Sequence, residues 1–225
     1  RDKCGGSFEN RARLLQLILQ KVRETVGNNF ILAVKINSSD FQKGGLEISD
    51  SVKIANLIEK ENIDFIEVSG GNFEAPEAYQ YVSLKESTKS REAYFLDAAK
   101  NIKASVGIPI MVTGGFRSIS VMEDALTSSS TDLIGIGRPF VIDPSFPYKL
   151  LNGDISVLPA VERNFPPAQD IPKGAVLNWF CDQLALQGKT GKGDINIPLI
   201  DGHERYIKQS DEATHSLISF RNNSK

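Results

Sequence analysis

Apolar positions recur along this chain in two rhythms, a helical one and a short-run one. From Asn10 to Val26 they fall at helical spacing, with Leu14, Leu15, Leu17, Ile18, Leu19 and Val22 forming a broad face. Ser7 stands where an N-cap is wanted and Gly27 where a helix should stop. Ile31 to Ile36 predicts a strand, Ser49 to Glu61 a second amphipathic helix, and Ile63 to Val68 a second strand closing on Ser69-Gly70-Gly71. Asn72 to Lys89 is polar, loop-like and long, and loops of such length often serve as lids or binding loops. A helix over Ser90 to Ser105 leads into an apolar strand at Ile108 to Val112. Another from about Ser118 to Leu126 leads into Leu133-Ile134. The alternation β-α-β-α-β-α-β after an opening helix predicts a parallel sheet with crossover helices. Beyond Pro144 the pattern changes to helices near Ala175 to Gln187 and His203 to Phe220, joined by Pro- and Gly-rich segments.

The strand count constrains the fold more than the length does. With 225 residues the chain approaches the roughly 250 of a whole (β/α)8 barrel. Only four strands can be found, however, all before Pro144, and four do not close such a barrel. The chain is therefore an open α/β sheet or the second half of a barrel. Composition adds little: 40% of residues are hydrophobic and 24% charged, with 26 basic against 28 acidic residues. There is no basic field to favour nucleic acid. No apolar run approaches the ~20 residues of a membrane span, and the first residues carry no signal-peptide pattern. Cys4 and Cys181 form neither a disulfide framework nor a metal-ligand spacing, so a reducing, cytoplasmic setting and no metal are expected. The first residue, Arg1, points to a processed product or a fragment.

Two glycine turns carry the candidate chemistry, Thr113-Gly114-Gly115-Phe116-Arg117 and Gly135-Ile136-Gly137-Arg138-Pro139. Each follows a buried-type strand. Glycine lets backbone N–H groups approach an anion, arginine adds a forked cation, and a following helix N-terminus adds its dipole. In a (β/α)8 barrel the loops after strands 7 and 8 are the habitual phosphate site. Gly114, Gly115, Gly137 and Arg138 are accordingly the candidate phosphate ligands. Tight βα turns with a surface arginine are the plainer alternative.

The opening Asp2-Lys3-Cys4-Gly5-Gly6-Ser7-Phe8-Glu9-Asn10-Arg11-Ala12-Arg13 closely resembles the D-x-Y-G-G-S-x-E-N-R-x-R stretch of the old yellow enzyme family. That resemblance implies an FMN-dependent NAD(P)H oxidoreductase on a (β/α)8 barrel, with this stretch just after strand 4. Ala33 to Asn37 then looks like strand 5, Glu67 to Gly71 strand 6, Val112 to Arg117 strand 7, and Leu133 to Phe140 with Asp143-Pro144 strand 8. The tail, including Gly202-His203-Glu204-Arg205-Tyr206, looks like that of fungal members. The implied fold is the C-terminal half of the barrel over residues 1–150, with a helical extension over 151–225. The implied cofactors are FMN and NAD(P)H, with Gly114, Gly115, Gly137 and Arg138 on the FMN phosphate. Lys35 would lie near the flavin N1 and O2, where many members have arginine. Cys4 replaces the usual tyrosine. The family's substrate-orienting His-Asn or His-His pair and its tyrosine lie upstream of Arg1, so no catalytic residue is expected within the chain.

Other polar residues receive plainer readings. Lys35 could equally be a strand-end lysine in a salt bridge. Ser69, Gly70 and Gly71 shape the pocket rather than react, and Glu9, Asn10 and Arg11 brace the preceding loop. His203 and His215 lie far from any strand end, and Cys181 reads as a buried core thiol. Three functions remain open. One is a flavin enzyme reducing activated alkenes such as enones. Another is a non-catalytic half-barrel that pairs with itself or needs the missing half, because its edge strands would be exposed. The third is a phosphate-binding barrel enzyme without flavin.

Overall fold

Four strands, all parallel and hydrogen-bonded in the order β1-β2-β3-β4, organise the first part of the chain in a computed structural model that describes residues 3–71 and 92–223. They are β1 (Ala33–Asn37), β2 (Phe65–Ser69), β3 (Ile110–Thr113) and β4 (Leu133–Gly135). Helices α1 (Phe8–Val26), α2 (Ile48–Glu59), α3 (Leu96–Lys103) and α4 (Ile119–Thr127) precede or connect them. This is the βα alternation expected, with four strands in the sequential order of a barrel segment. The stretch 72–89 read as a long loop lies outside the described residues. The described residues form two compact units, one of 3–71 with 92–136 and one of 137–223.

Helix α1 starts where its cap predicts, the Ser7 hydroxyl accepting the Asn10 N–H at 3.3 Å, and stops at Gly27, whose φ is 76°. Its join to the sheet depends on Arg23, whose side chain is almost wholly buried. Its guanidinium donates to the Gly27, Phe30 and Asn62 carbonyls at 2.6–2.9 Å and to Asp64 Oδ2 at 2.7 Å. Asp64 Oδ2 also accepts the Leu32 N–H at 2.7 Å. These bonds hold 28–32 in a loop, so β1 starts at Ala33 and not at Ile31. Helix α3 is shorter than the Ser90–Ser105 expected, because Ala93 takes a positive φ of 54° and the chain turns there. The N-terminal motif braces its loop through Asn10 of the expected trio, whose Nδ2 donates to the Gly5 carbonyl, and through the nearby Arg13, which donates to the Lys3 carbonyl.

The second unit contains α5 (Arg138–Ile142), α6 (Phe146–Leu151), two short 3-10 turns (Val161–Asn164 and Ala168–Asp170), α7 (Ala175–Thr190) and α8 (Leu199–Asn223). Its core is the fully buried Trp179, packed with Ala175, Val176, Phe180 and Leu199. Phe165 and Phe180 meet the indole edge-on at 5.1 Å, the geometry the ring quadrupoles favour. The indole N–H donates to the Ile197 carbonyl at 2.9 Å. Buried Asp182 pairs with Arg205 across α7 and α8, which holds the arginine's pKa above its usual value. Cys181 is half-buried rather than a core thiol, since the core side of α7 is taken by Trp179 and Phe180.

Two outcomes follow for stability. A Cβ at Gly202 would stand 2.5 Å from Trp179 Cδ1, and the buried indole has nowhere to move. Overpacking of about 1–3 kcal/mol should outweigh the ~1 kcal/mol that alanine gains in a helix, so Gly202→Ala should lower the thermal midpoint. Asp64 is held below the usual carboxylate pKa, first by the Leu32 N–H and then by Arg23. A depressed folded pKa stabilises above the unfolded value, near pH 4, and that stabilisation is lost as pH falls through the folded value. Thermal midpoints measured from pH 6 to 3 should therefore fall at the acid end, and more steeply in the wild type than in Asp64→Asn.

Candidate functional site

Side chains alternate along each strand, and the register divides them cleanly into two faces. Val34, Ile36, Ile66, Val68, Ile110 and Val112 are all buried and share one face. The other face carries Lys35, Asn37, Glu67, Ser69, Met111 and Thr113, with Lys35 opposite Glu67, Glu67 opposite Met111, and Thr113 opposite Gly135. Lys35 Nζ donates to Glu67 Oε1 at 2.7 Å, while the lysine side chain stays 54% exposed. Asn37 Nδ2 donates to the Gly71 carbonyl at 2.7 Å and to Asp40 Oδ1 at 3.2 Å. Ser69 Oγ donates to Asn37 Oδ1 at 3.4 Å. Two hydroxyls at the C-terminal ends of strands, Ser38 Oγ and Thr113 Oγ1, are buried with no partner among the described residues. A Cβ at Gly135 would overlap Thr113 Oγ1, so the strand pairing itself demands that glycine.

At the first glycine turn, Gly114 and Gly115 have positive φ of 140° and 81°. A Cβ on Gly114 would meet the Phe95 ring at 2.7 Å, and one on Gly115 the Tyr94 ring at 2.8 Å. Phe95 also abuts Gly70 and stacks on Phe41 with centroids 6.1 Å apart. Both glycines are thus required by aromatic packing at the strand ends, whatever else they touch. The helix that follows is already capped by an anion. Glu92 accepts the Arg117 and Ser118 N–H groups at 2.7 and 2.8 Å and the Ser118 hydroxyl at 2.8 Å. The dipole expected to favour a phosphate there faces a carboxylate instead.

At the second turn, a Cβ on Gly137 would meet nothing within 4 Å among the described residues. The helix it opens, α5, has only five residues, so it adds little dipole. Arg138 Nη1 donates to Glu162 Oε1 at 3.1 Å, and the guanidinium carbon lies 5.8 Å from the Phe180 ring centroid. The Glu162 side chain is 2% exposed and that of Arg138 is 30% exposed.

Each predicted cation is therefore found beside a carboxylate that the sequence did not flag. Glu67 and Glu162 lie 32 and 24 residues from their partners and belong to no motif. A strand reading of Ala33 to Asn37 against Phe65 to Ser69 could have placed Glu67 opposite Lys35. Nothing comparable signals Glu162 or Glu92. His203 is buried and hydrogen-bonded to Asn178, while His215 is exposed on α8. Among the described residues no cluster of His, Cys, Asp or Glu could hold a metal. No helix there is long and apolar enough to cross a membrane.

Comparison with known proteins gives these features a setting. Residues 1–154 match the NADH:flavin oxidoreductase / NADH oxidase family. The NADH-dependent flavin oxidoreductase iliE of Neonectria sp. is 37% identical over 155 residues, 65% of this chain and 20% of that protein. The NADPH dehydrogenase of Bacillus pumilus is 34% identical over 146 residues, 65% of this chain and 40% of that one. The chain thus spans a fifth to two fifths of these relatives' length. A 2-naphthoyl-CoA reductase structure superposes with a TM-score of 0.62 at 31% identity, over 70% of this chain and 24% of that one. The old yellow enzyme homologue of Zymomonas mobilis superposes with a TM-score of 0.53 at 21% identity, over 77% and 45% of the two chains, and shares the fold. The chain belongs to the NADH:flavin oxidoreductase family of old yellow enzymes, a family of FMN and NAD(P)H chemistry, and its four parallel strands form part of a (β/α)8 barrel.

Proposed function

We propose that this chain forms the phosphate side of the FMN site in an NAD(P)H-dependent oxidoreductase that reduces activated alkenes. The observation that carries this reading is the polar sheet face, which bears the Lys35 ammonium in the middle of β1 and, at the end of β3, a Thr113 hydroxyl without a partner among the described residues. A buried hydroxyl without a partner is rare, and a polar ligand edge would satisfy it. The residues present therefore fit a flavin with an anionic handle. FMN, when bound, supplies hydride transfer from NAD(P)H to an alkene conjugated with a carbonyl.

The chain's own part is binding and electrostatics. Lys35 offers a point charge to the pyrimidine edge of the ring, and Glu67 holds that ammonium in one direction. Gly114, Gly115, Gly137 and Arg138 serve the phosphate through backbone N–H groups and a guanidinium. Ser69 and Gly70 shape the pocket floor.

A second reading, that catalysis needs a further half-barrel, is favoured by apolar exposure in the first unit. Leu14, Leu17 and Ile18 on α1 are 50–58% exposed, and Phe30 and Ile31 before edge strand β1 are 58% and 72% exposed. Buried area of that kind is what strands 1–4 or a second copy would supply.

Flavin fluorescence titrations of the chain separate these ideas. FMN should bind, weakly, and more tightly than riboflavin, and Lys35→Met should weaken both flavins alike. Equal affinity for FMN and riboflavin would overturn the phosphate assignment. With FMN, NADPH and an enone supplied, the chain by itself should show no turnover; steady NADPH oxidation would remove the need for a second half.

A further inference from the structure

Arg138 does not stand alone at the second glycine turn. Its guanidinium is held on one edge by Glu162 and backed on one face by Phe180, and both lie in the same unit. Phe180 is part of the Trp179 cluster. Glu162 sits in a 3-10 turn whose neighbours Val161 and Phe165 pack against that cluster. A carboxylate buried this deeply cannot be left without a cation, so the pair is fixed from the glutamate's side. Arginine is otherwise a long, rotamer-rich side chain that loses much freedom when it grips a ligand.

We propose that Glu162 is the positioning residue for Arg138 and, through it, a determinant of affinity for the cofactor's phosphate. The proposal rests on Arg138 serving that phosphate. Two effects of the carboxylate oppose each other. Its charge offsets that of the guanidinium at long range, which weakens attraction to an anion. Its hydrogen bond and the Phe180 ring fix the direction of the fork, which strengthens short, paired hydrogen bonds to phosphate oxygens. The second effect wins because phosphate recognition by arginine is dominated by geometry at contact, whereas a net charge at this partly exposed position is screened by salt.

The quantity to measure is the ratio of riboflavin to FMN dissociation constants, which isolates the phosphate contribution and is blind to general loosening of the site. In the wild-type chain the ratio should exceed one, and Arg138→Ala should lower it about tenfold, the loss of one charged hydrogen-bonding group. Glu162→Ala should lower it by a similar factor and should change nothing further in the Arg138→Ala background. Glu162→Gln keeps an acceptor in the same place and should recover most of the ratio; it also serves if the alanine variant fails to fold. A Glu162→Ala or Glu162→Gln protein that binds both flavins equally less well would make the glutamate merely structural and overturn the proposal. A variant that binds FMN more tightly would make the glutamate a competitor for Arg138, and that too would overturn it. A wild-type ratio of one, or an unaffected Arg138→Ala ratio, would instead sink the phosphate reading on which the proposal stands.

Discussion

The parallel pairing of four short strands, with side chains alternating strictly between two faces, is the constraint on which the first unit depends. Parallel sheets are usually covered on both faces and read as continuous apolar runs. Here the sequences Ala33-Val34-Lys35-Ile36-Asn37 and Phe65-Ile66-Glu67-Val68-Ser69 alternate instead. One face meets helices and is dry; the other carries a lysine, a glutamate, an asparagine and hydroxyls. A one-residue slip would exchange these faces and bury Lys35 and Glu67 beneath the helices. Register is therefore set by the penalty for burying charge as much as by the gain from burying isoleucine and valine. The same register that makes the core gathers the polar side chains on the opposite face.

Charge on the polar face and at the turns is handled in pairs. Lys35 has Glu67, Arg138 has Glu162, and the amides opening α4 have Glu92. Each carboxylate removes net charge, so long-range attraction of an anion is modest, and what remains is directional hydrogen bonding. That suits a cofactor held for many turnovers better than it suits fast electrostatic capture of a substrate. It also revises how the first glycine turn works. With Glu92 on the helix N-terminus and aromatic rings against Gly114 and Gly115, any anion there must be met by the turn's own backbone rather than by the helix dipole.

The strand order and the helical extension were legible in the sequence because both follow from local periodicity and from turn residues. Boundaries slipped where distant groups intervene. Ile31 has the composition of a strand residue, but Arg23 and Asp64 hold its neighbours in a loop, through bonds spanning up to 41 residues. The helix expected from Ser90 begins only at Leu96, because Glu92 is engaged across the sheet end and Ala93 reverses the chain. The candidate cations stood out because one sits in a glycine motif and the other within an apolar strand. Their carboxylate partners did not, since a glutamate in Val161–Asn164 gains meaning only when the Trp179 core brings it to Arg138. Glycine signals were ambiguous for a physical reason: a missing Cβ serves ring packing, strand pairing and ligand approach equally well. Gly135 is explained by Thr113, Gly114 and Gly115 by Phe95 and Tyr94, whereas a Cβ on Gly137 would meet none of the described residues.

That last contrast narrows where an anion can be accommodated. Glycines whose absent side chain is replaced by protein atoms cannot offer the same volume to a phosphate; they can offer only their N–H groups. Gly137, by contrast, has none of the described residues on the side a Cβ would occupy, and the next residue, Arg138, is paired with a buried carboxylate. The two turns look alike as strings of glycine and arginine, yet their arginines differ. Arg117 is buried and donates to the carbonyl of Phe116, whereas Arg138 keeps about a third of its side chain at the surface. A half-buried guanidinium held by a carboxylate is a directional donor of the kind that planar, paired hydrogen bonding to an anion uses. The two turns therefore differ in what they hold: the first ends β3 against aromatic rings, and the second sets Arg138 beside a buried carboxylate.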